Sequence, residues 1–507
     1  MKKLSEYCLV VAAAAVVVMT GLRISMCWRT DAYLDHVSGV WFALAYDLRH
    51  GVFYRPLYGP LGYGGTRYAP LVFILLAGLM GVARDPRLAG YALSLLSGIL
   101  LLSGVYALMR SLGARRVVAA SCAILVLAPQ AGQRILLDVR GDSLPAALVV
   151  WSLTLCAAMP DRWAALAGAA ALVTLAFSAK VTSLYAAGTI FLFLLLSGRK
   201  SRAIPFLMFV ALGVGTVCAA VFLASHGRVY EVMKASAAGG GSWADLIQAP
   251  ERMAIFMGYD LAILPFFVLA TAAVFAWPGK AFQELAPLFF LTAVGATLVI
   301  YGSPGTDFNH LLDVQVAATV VIGVWISRME EKPAIFATQA LAMAGLLAIA
   351  PSWLAYRRSD VISERMHFAL TLRDLGPHPG FILAENPLLP ILAHEEPYVL
   401  DPFMFRIIAA HDPSFADPLW RMLRERKFSA VVLGKNPNTS YGRWWYSTMH
   451  FGMPFVGVLE KYYRPVLHIP GDPVYHTQGE TVFLPRRPAR QRKHSMGSHH
   501  GEHVTGN

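Results

Sequence analysis

Asp31 and Asp35 lie four residues apart, with His36 directly after, just beyond the first long apolar run. On a helix that spacing puts both carboxylates on one face. A carboxylate just outside a membrane helix can take a proton from a hydroxyl that comes within about 3 Å. The competing reading is a solvated pair at a helix end, with Asp31 capping the next turn. Further along, Asp138 and Asp142 flank Arg140 and can hold it in position. Lys180 sits between two apolar runs with almost no loop around it, and a Lys placed centrally in a bilayer costs about 2.5–3.5 kcal/mol. Asn309 and His310 precede another run and could bind a polar ligand, or Asp307 or Asn309 could simply cap the helix. Arg55 and Arg67 add basic groups to the first loop; long basic side chains at a membrane edge also snorkel to the headgroups.

These residues need a scaffold that carries them to one face. The chain has 507 residues, 56% hydrophobic and 15% charged, against about 25% charged in a soluble protein. At roughly 20 apolar residues per span, most of the first 355 residues read as transmembrane helix. Runs able to span are 8–27, 88–109, 117–133, 143–159, 163–179, 181–197, 203–224, 254–276, 285–302, 311–327 and 334–355, about eleven in all. The run 69–83 is short. If it spanned, with Lys2 and Lys3 inside, the clusters Arg110-Arg115-Arg116 and Arg199-Lys200-Arg202 would lie outside. If it lies in the outer interface, both clusters fall inside with Lys280 and Arg328, as the positive-inside rule requires. The parity then puts a long first loop, 28–87, and everything after 355 on the periplasmic or extracellular side. Asp31, Asp35, Asp138, Asp142, Asp307 and His310 come out on that side together. The N-terminus has no clear small-x-small cleavage site and reads as an uncleaved first helix that starts in the cytoplasm.

The formal charge of +12 is then topological. Nucleic acid is not an expected partner, because no basic helix with interleaved aromatics lies outside the apolar region. The 5 cysteines lie in or beside apolar runs with no disulfide or metal-ligand spacing. They read as buried, inert thiols.

After residue 355 the pattern changes. Strand-like runs at 380–384, 398–400 and 430–433 alternate with helix-like stretches such as 417–427, where Asp417 and Pro418 suit a cap and a first helical position. Residues 474–475 and 481–484 suit a hairpin around Gln478 and Gly479. We read 356–485 as a small α/β domain and 486–507 as a disordered tail. Weak metal binding by His499, His500 and His503 is the less favoured reading of that tail. Gly239, Gly240 and Gly241 before Trp243 lack the Gly-Lys-Ser/Thr of a nucleotide loop. The stretch 225–253 reads as a flexible loop, or as a flap with Trp243 over the site. No internal repeat is evident, which weakens a transporter reading.

Several short motifs follow one another along the chain. Gly51-Val52-Phe53-Tyr54 precedes Ala69-Pro70-Leu71-Val72-Phe73. Leu112-Gly113-Ala114-Arg115-Arg116, Arg140-Gly141-Asp142-Ser143-Leu144, Phe177-Ser178-Ala179-Lys180-Val181-Thr182 and Gly305-Thr306-Asp307-Phe308-Asn309-His310 come next. Ala384-Glu385-Asn386-Pro387 and Tyr398-Val399-Leu400-Asp401-Pro402 close the series. With an Asp in the first outer loop, the chain resembles the polyprenyl-phosphate-dependent glycosyltransferases of the GT-C fold. That group includes protein O-mannosyltransferases and aminoarabinose transferases, and the last two motifs are similar to the soluble domain of its bacterial members. The likeness covers nearly the whole chain and rests on the order and one-sided placement of the motifs.

The resemblance implies a mostly α fold: a polytopic GT-C helix bundle, 1–355, in a bacterial inner or plasma membrane, with the small α/β domain outside. It implies a sugar on a polyprenyl phosphate as donor, a lipid, glycan or protein acceptor, and transfer on the outer face with inversion. Asp35 matches the loop-one Asp and would be the base, with Asp31 as the second candidate. Many relatives have another acid next; here it is His36, which counts against an acidic pair or a metal held by one. Arg55, Arg67, Arg140 and Lys180 would hold the lipid phosphate as it leaves. Asp142 would contact the acceptor, or brace Arg140, and Asn309 and His310 the sugar or phosphate. No cofactor is expected, and no divalent metal is indicated. A transporter or flippase would place charges at mid-span, and a non-catalytic scaffold would need none of these residues. Charges gathered at helix ends on one face favour an enzyme.

Overall fold

The computed structural model describes residues 2–31, 33–237, 240–303, 305–358, 381–469 and 479–486. The expected tail beyond Arg486, its histidines and the hairpin arm at 474–475 lie outside the described residues. The helices are α1 (Lys2–Thr30), α2 (His36–Arg49), α3 (Pro70–Val82), α4 (Pro86–Ser111), α5 (Arg116–Leu125), α6 (Gln130–Leu137), α7 (Ser143–Ala158) and α8 (Trp163–Ala179). They continue with α9 (Tyr185–Leu196), α10 (Lys200–Ala224), α11 (Arg228–Ala237), α12 (Trp243–Tyr259), α13 (Ile263–Phe275), α14 (Leu285–Tyr301), α15 (Leu311–Arg328) and α16 (Glu331–Arg358).

Length sorts the apolar runs. The helices at Lys3–Arg29, Pro86–Ser111, Lys200–Ala224, Phe308–Arg328 and Glu331–Ala350 are long and apolar enough to cross a membrane. The runs 143–159, 163–179, 181–197 and 285–302 also form apolar helices, each of 10–17 residues. At 1.5 Å per residue, sixteen residues reach only about 24 Å, against a hydrocarbon core of about 30 Å. The long helices differ in their surroundings. α10 exposes Ile204, Met208, Leu212 and Leu223, an apolar face suited to lipid. α15 is buried from Leu311 to Ile326 and forms the centre of the bundle.

Two runs expected as straight spans are broken. In 117–133, α5 and α6 meet at 78°. Pro129 stands at the N-cap of α6, and a Cβ on Gly132 would collide with the Val126 carbonyl. The sharp turn therefore requires glycine at 132. As a result, 134–137, expected in an outer loop, is helical. The run 254–276 breaks between α12 and α13, at Asp260. The Asp260 carboxylate accepts the Ala131 amide at 3.0 Å, satisfying a free donor at the start of α6. The expected loop 225–253 is largely helical as well. Ser242 and Asp245 form a capping box that starts α12, and Trp243 is exposed.

The segment between α1 and α4 is built rather than loose. α2 leads to a short hairpin, β1 (Tyr58–Gly59) and β2 (Gly62–Tyr63). α3 follows with Pro70 in its first turn, and its 13 residues reach about 20 Å, the length of α13 as well. The C-terminal unit has β3 (Phe381–Ala384), β4 (Phe428–Leu433), β5 (Tyr463–Ile469) and β6 (Glu480–Pro485) in one sheet, ordered β3-β4-β6-β5. β3 and β4 are parallel and the other pairs antiparallel. Residues 398–400, expected as a strand, instead form a single bridge from Val399 to Tyr63.

That bridge is part of a continuous seam. The Tyr63 amide donates to the Tyr398 carbonyl at 2.8 Å and the Tyr63 hydroxyl to the Phe415 carbonyl at 2.9 Å. Asn386 Nδ2 donates to the Leu34 carbonyl at 2.8 Å. A Cβ on Gly39 would collide with Asn386 and Pro387. Phe42, Phe73 and Leu76 share one core with Ile382, Leu388 and Val432, each worth about 1.5–3 kcal/mol when fully buried. The C-terminal unit is thereby fixed over the residues that follow Asp35.

Candidate active site

Asp35 is the N-cap of α2. One carboxylate oxygen accepts the Val37 and Ser38 amides at 3.0 and 3.1 Å. The other accepts Arg140 Nη2 at 2.8 Å, with Arg134 Nη1 at 3.8 Å. Burial raises the Asp35 pKa, but Arg140, joined by Arg134, outweighs it and holds the group below the usual carboxylate range. Arg140 also lies 2.8 Å from Asp138 and 3.6 Å from Asp307. Burial pushes Asp138 up to about 6 despite Arg140 and Arg134.

The loop 138–142 joins this cluster to a second. Asp142 accepts Lys180 Nζ and Asn309 Nδ2, both at 2.7 Å. Burial raises the Asp142 pKa, yet Lys180 above all brings it down to about 2. Among the described residues, none hydrogen-bonds the buried His310 Nδ1 or Arg134 Nε. A small cavity lies between the clusters, lined by Arg134, Asp138, Arg140, Asp142 and Asn309. At about 10 Å³ it has room for roughly one water, so polar groups of both signs are drawn closely around it.

The sequence singled out seven residues that meet here: Asp35, His36, Arg140, Asp142, Lys180, Asn309 and His310. Arg67 is close by, stacked 4.8 Å from the Phe403 ring centre and donating to the Gly305 carbonyl at 3.2 Å. Two others are engaged elsewhere. Asp31, a candidate base, accepts Arg87 Nη1 at 2.6 Å and the Tyr91 hydroxyl at 3.0 Å and is 5% exposed. Arg55, expected at the lipid phosphate, is 2% exposed. It clasps both Asp47 oxygens at 2.6 Å and donates to the Leu61 and Pro397 carbonyls at 2.7 Å. Both tie the first loop to its surroundings.

Sequence reasoning missed Arg134, which the break at Pro129 turns inward, and the groups behind His36. Glu385, 1% exposed, accepts Trp445 Nε1, the Tyr446 hydroxyl and the Gly434 amide at 2.6, 2.6 and 2.7 Å. Its Oε1 also lies 2.6 Å from His450 Nδ1. Burial raises the Glu385 pKa, but these partners, His450 first, lower it to about 2. The ionised carboxylate therefore accepts the His450 Nδ1 proton. The His450 ring meets the His36 ring edge-on at 4.4 Å. Burial and His450 lower His36 to about 4, leaving a neutral imidazole beside Asp35.

These donors do not suit a divalent metal at Asp35. Two backbone amides and Arg140 occupy its oxygens, and an imidazole stands where a second carboxylate would be needed. Among the described residues no group of three or more His, Cys, Asp or Glu is placed to hold a metal ion.

Residues 67–225 match the family described as dolichyl-phosphate-mannose-protein mannosyltransferase. Among solved structures, the chain is similar to ArnT from Cupriavidus metallidurans bound to undecaprenyl phosphate. The TM-score is 0.59 at 10% identity, over 93% of this chain and 97% of that one. The apo form of the same ArnT gives 0.52 at 12% identity, over 93% and 98%. The Archaeoglobus fulgidus oligosaccharyltransferase in its apo form gives 0.53 at 13% identity, over 92% and 73%. No curated protein sequence matches the chain. The resemblance read from the motifs holds: the fold is that of the GT-C glycosyltransferases, and the mannosyltransferase match covers α3 to α10.

Proposed function

We propose that this chain is a membrane glycosyltransferase that moves a sugar from a polyprenyl phosphate to an acceptor hydroxyl, with inversion, on the outer face of a bacterial inner or plasma membrane. The observation that carries the reading is the shared Asp35–Arg140 contact at 2.8 Å, a proton acceptor held against an anion binder. When the donor phosphate enters, Arg140 turns toward it, with Lys180 and Arg67 alongside. Asp35 thereby loses its strongest charge partner and its proton affinity rises. The acceptor O–H proton then passes to Asp35 as the oxygen bonds to the anomeric carbon. The bond from that carbon to the phosphate oxygen breaks, and its electron pair leaves with the polyprenyl phosphate. Asn309 and His310 orient the sugar, Asp142 braces Lys180, and His36 lines the acceptor side.

In this reading the shorter apolar helices complete about eleven spans in a bilayer that thins or bends to meet them, and the C-terminal unit lies outside. The reading is favoured over a transporter because the site's charges cluster at helix ends.

Mass spectrometry of envelope glycans tests it. Cells lacking the protein, and cells carrying only Asp35→Asn, are expected to lose the same glycan species. If no glycan changes in either strain, the enzyme reading fails.

A further inference from the structure

A second cavity, of about 360 Å³, lies away from Asp35. It sits where α3 ends and α4 begins, and 391–394 of the C-terminal unit close it. Arg49, Arg84, Arg87 and His394 line it together with the apolar Met80 and Ile391. Arg87 is held by Asp31 at 2.6 Å and Asp85 at 2.7 Å. Arg49 and Arg84 have no carboxylate within ion-pair distance among the described residues. Among the described residues Asp85 is the one acid in the lining, so the walls are net cationic and suit an oxyanion that can take two unshared guanidinium forks.

The rim identifies the carrier of that anion. Val82 and Leu88, on either side of the lining stretch 83–87, are 88% and 61% exposed. Arg84 and Arg87 stand at the start of a helix long and apolar enough to cross the membrane. A cationic hollow with apolar walls at the end of a span lies at headgroup depth, where acyl chains can run along α3 and α4. The cavity is also separate from the candidate active site. Asp35 caps the start of α2 and Arg49 ends it, which places them about 20 Å apart along the helix.

We propose that this cavity binds the phosphate of an anionic phospholipid. The lipid bridges the membrane edge to the C-terminal unit, with its phosphate on Arg49 and Arg84, its chains beside Val82 and Leu88, and His394 closing over the headgroup.

The test uses the full chain in detergent micelles, stripped of lipid and then supplied with dioleoylphosphatidylglycerol, dioleoylphosphatidylcholine or inorganic phosphate. Native mass spectrometry reads retained lipid, and thermal unfolding reads stabilisation. Phosphatidylglycerol is expected to stay bound to the wild type at least several-fold more than phosphatidylcholine and to raise its Tm. Both effects should be lost in R49Q/R84Q, whose exposed side chains can change without disturbing the fold, and partly kept in R49K/R84K. Equal phosphatidylglycerol retention by wild type and R49Q/R84Q would overturn the site. Stabilisation by inorganic phosphate equal to that by phosphatidylglycerol would overturn the lipid as its ligand.

Discussion

Arg55 and Arg140 are both largely enclosed arginines paired with aspartates of the segment between α1 and α4, yet they are wired differently. Arg55 closes on itself: a fork onto both oxygens of Asp47 and two backbone carbonyls, all at 2.6–2.7 Å. Arg140 is shared among Asp35 at 2.8 Å, Asp138 at 2.8 Å and Asp307 at 3.6 Å. A saturated guanidinium fastens, because giving up any partner leaves a buried charge uncompensated. A shared one can exchange an aspartate for an incoming phosphate at smaller cost. Residue type and sidedness did not separate these cases; the number of competing partners does.

The largest expected difference comes from removing the carboxylate at each pair. Asp35→Asn should lower glycosyl transfer by about 10²–10⁴-fold, the range for a lost general base. Its Tm should stay close to wild type, because Asn is as good an N-cap as Asp. Asp47→Asn should do the reverse, costing about 3–5 kcal/mol of stability with near-normal transfer per folded molecule. A reconstituted transfer assay beside thermal unfolding reads both. If the two variants behave alike, the distinction between fastening and working pairs collapses.

A smaller effect follows from the shape of the cation. Arg140→Lys keeps the charge but loses the planar fork. The loss of one charge-assisted hydrogen bond, about 1.5–3 kcal/mol, corresponds to roughly ten- to hundredfold in kcat/KM. Arg67→Lys, at the rim on Phe403, should change transfer less. An equal loss for both would move the phosphate away from Arg140.

What the sequence disclosed depended on whether partners lie near one another along the chain. Span parity gathered Asp35, Arg140, Lys180 and His310 on one face because loops inherit their side from helix count. The break that turns Arg134 inward is encoded locally, in Pro129 and Gly132, but a continuous apolar run hid it. The Ser242–Asp245 capping box was equally local, and the neighbouring glycines drew the reading toward a loop. Other features were out of reach by spacing. The partner of Asp31 is Arg87, 56 residues on, and Glu385 meets His450 at a separation of 65. Motifs drew attention to Glu385 but could not show that it sits behind His36.

The smallest effects concern pH, and there the site and the domain above it should move in opposite directions. Asp138 is raised to about 6 from 3.8. Between those values the folded chain keeps a proton that the unfolded chain has released, so stability falls as pH rises through the window. Glu385 is lowered to about 2 from 4.5. Its contribution is complete above about 4.5 and is lost as pH falls toward 2. Tm measured from pH 3 to 7 should therefore lose its decline between pH 4 and 6 in Asp138→Asn, and flatten on the acid side in Glu385→Gln. Glu385→Gln should also release His450, and through it the ring of His36 beside Asp35. The pH profile of transfer should then shift in Glu385→Gln and stay unchanged in Asp47→Asn, since the Asp47–Arg55 pair touches neither ring. A shift in both variants would mean that the first segment couples to the site as one body, and that Arg55 and Arg140 differ only in degree.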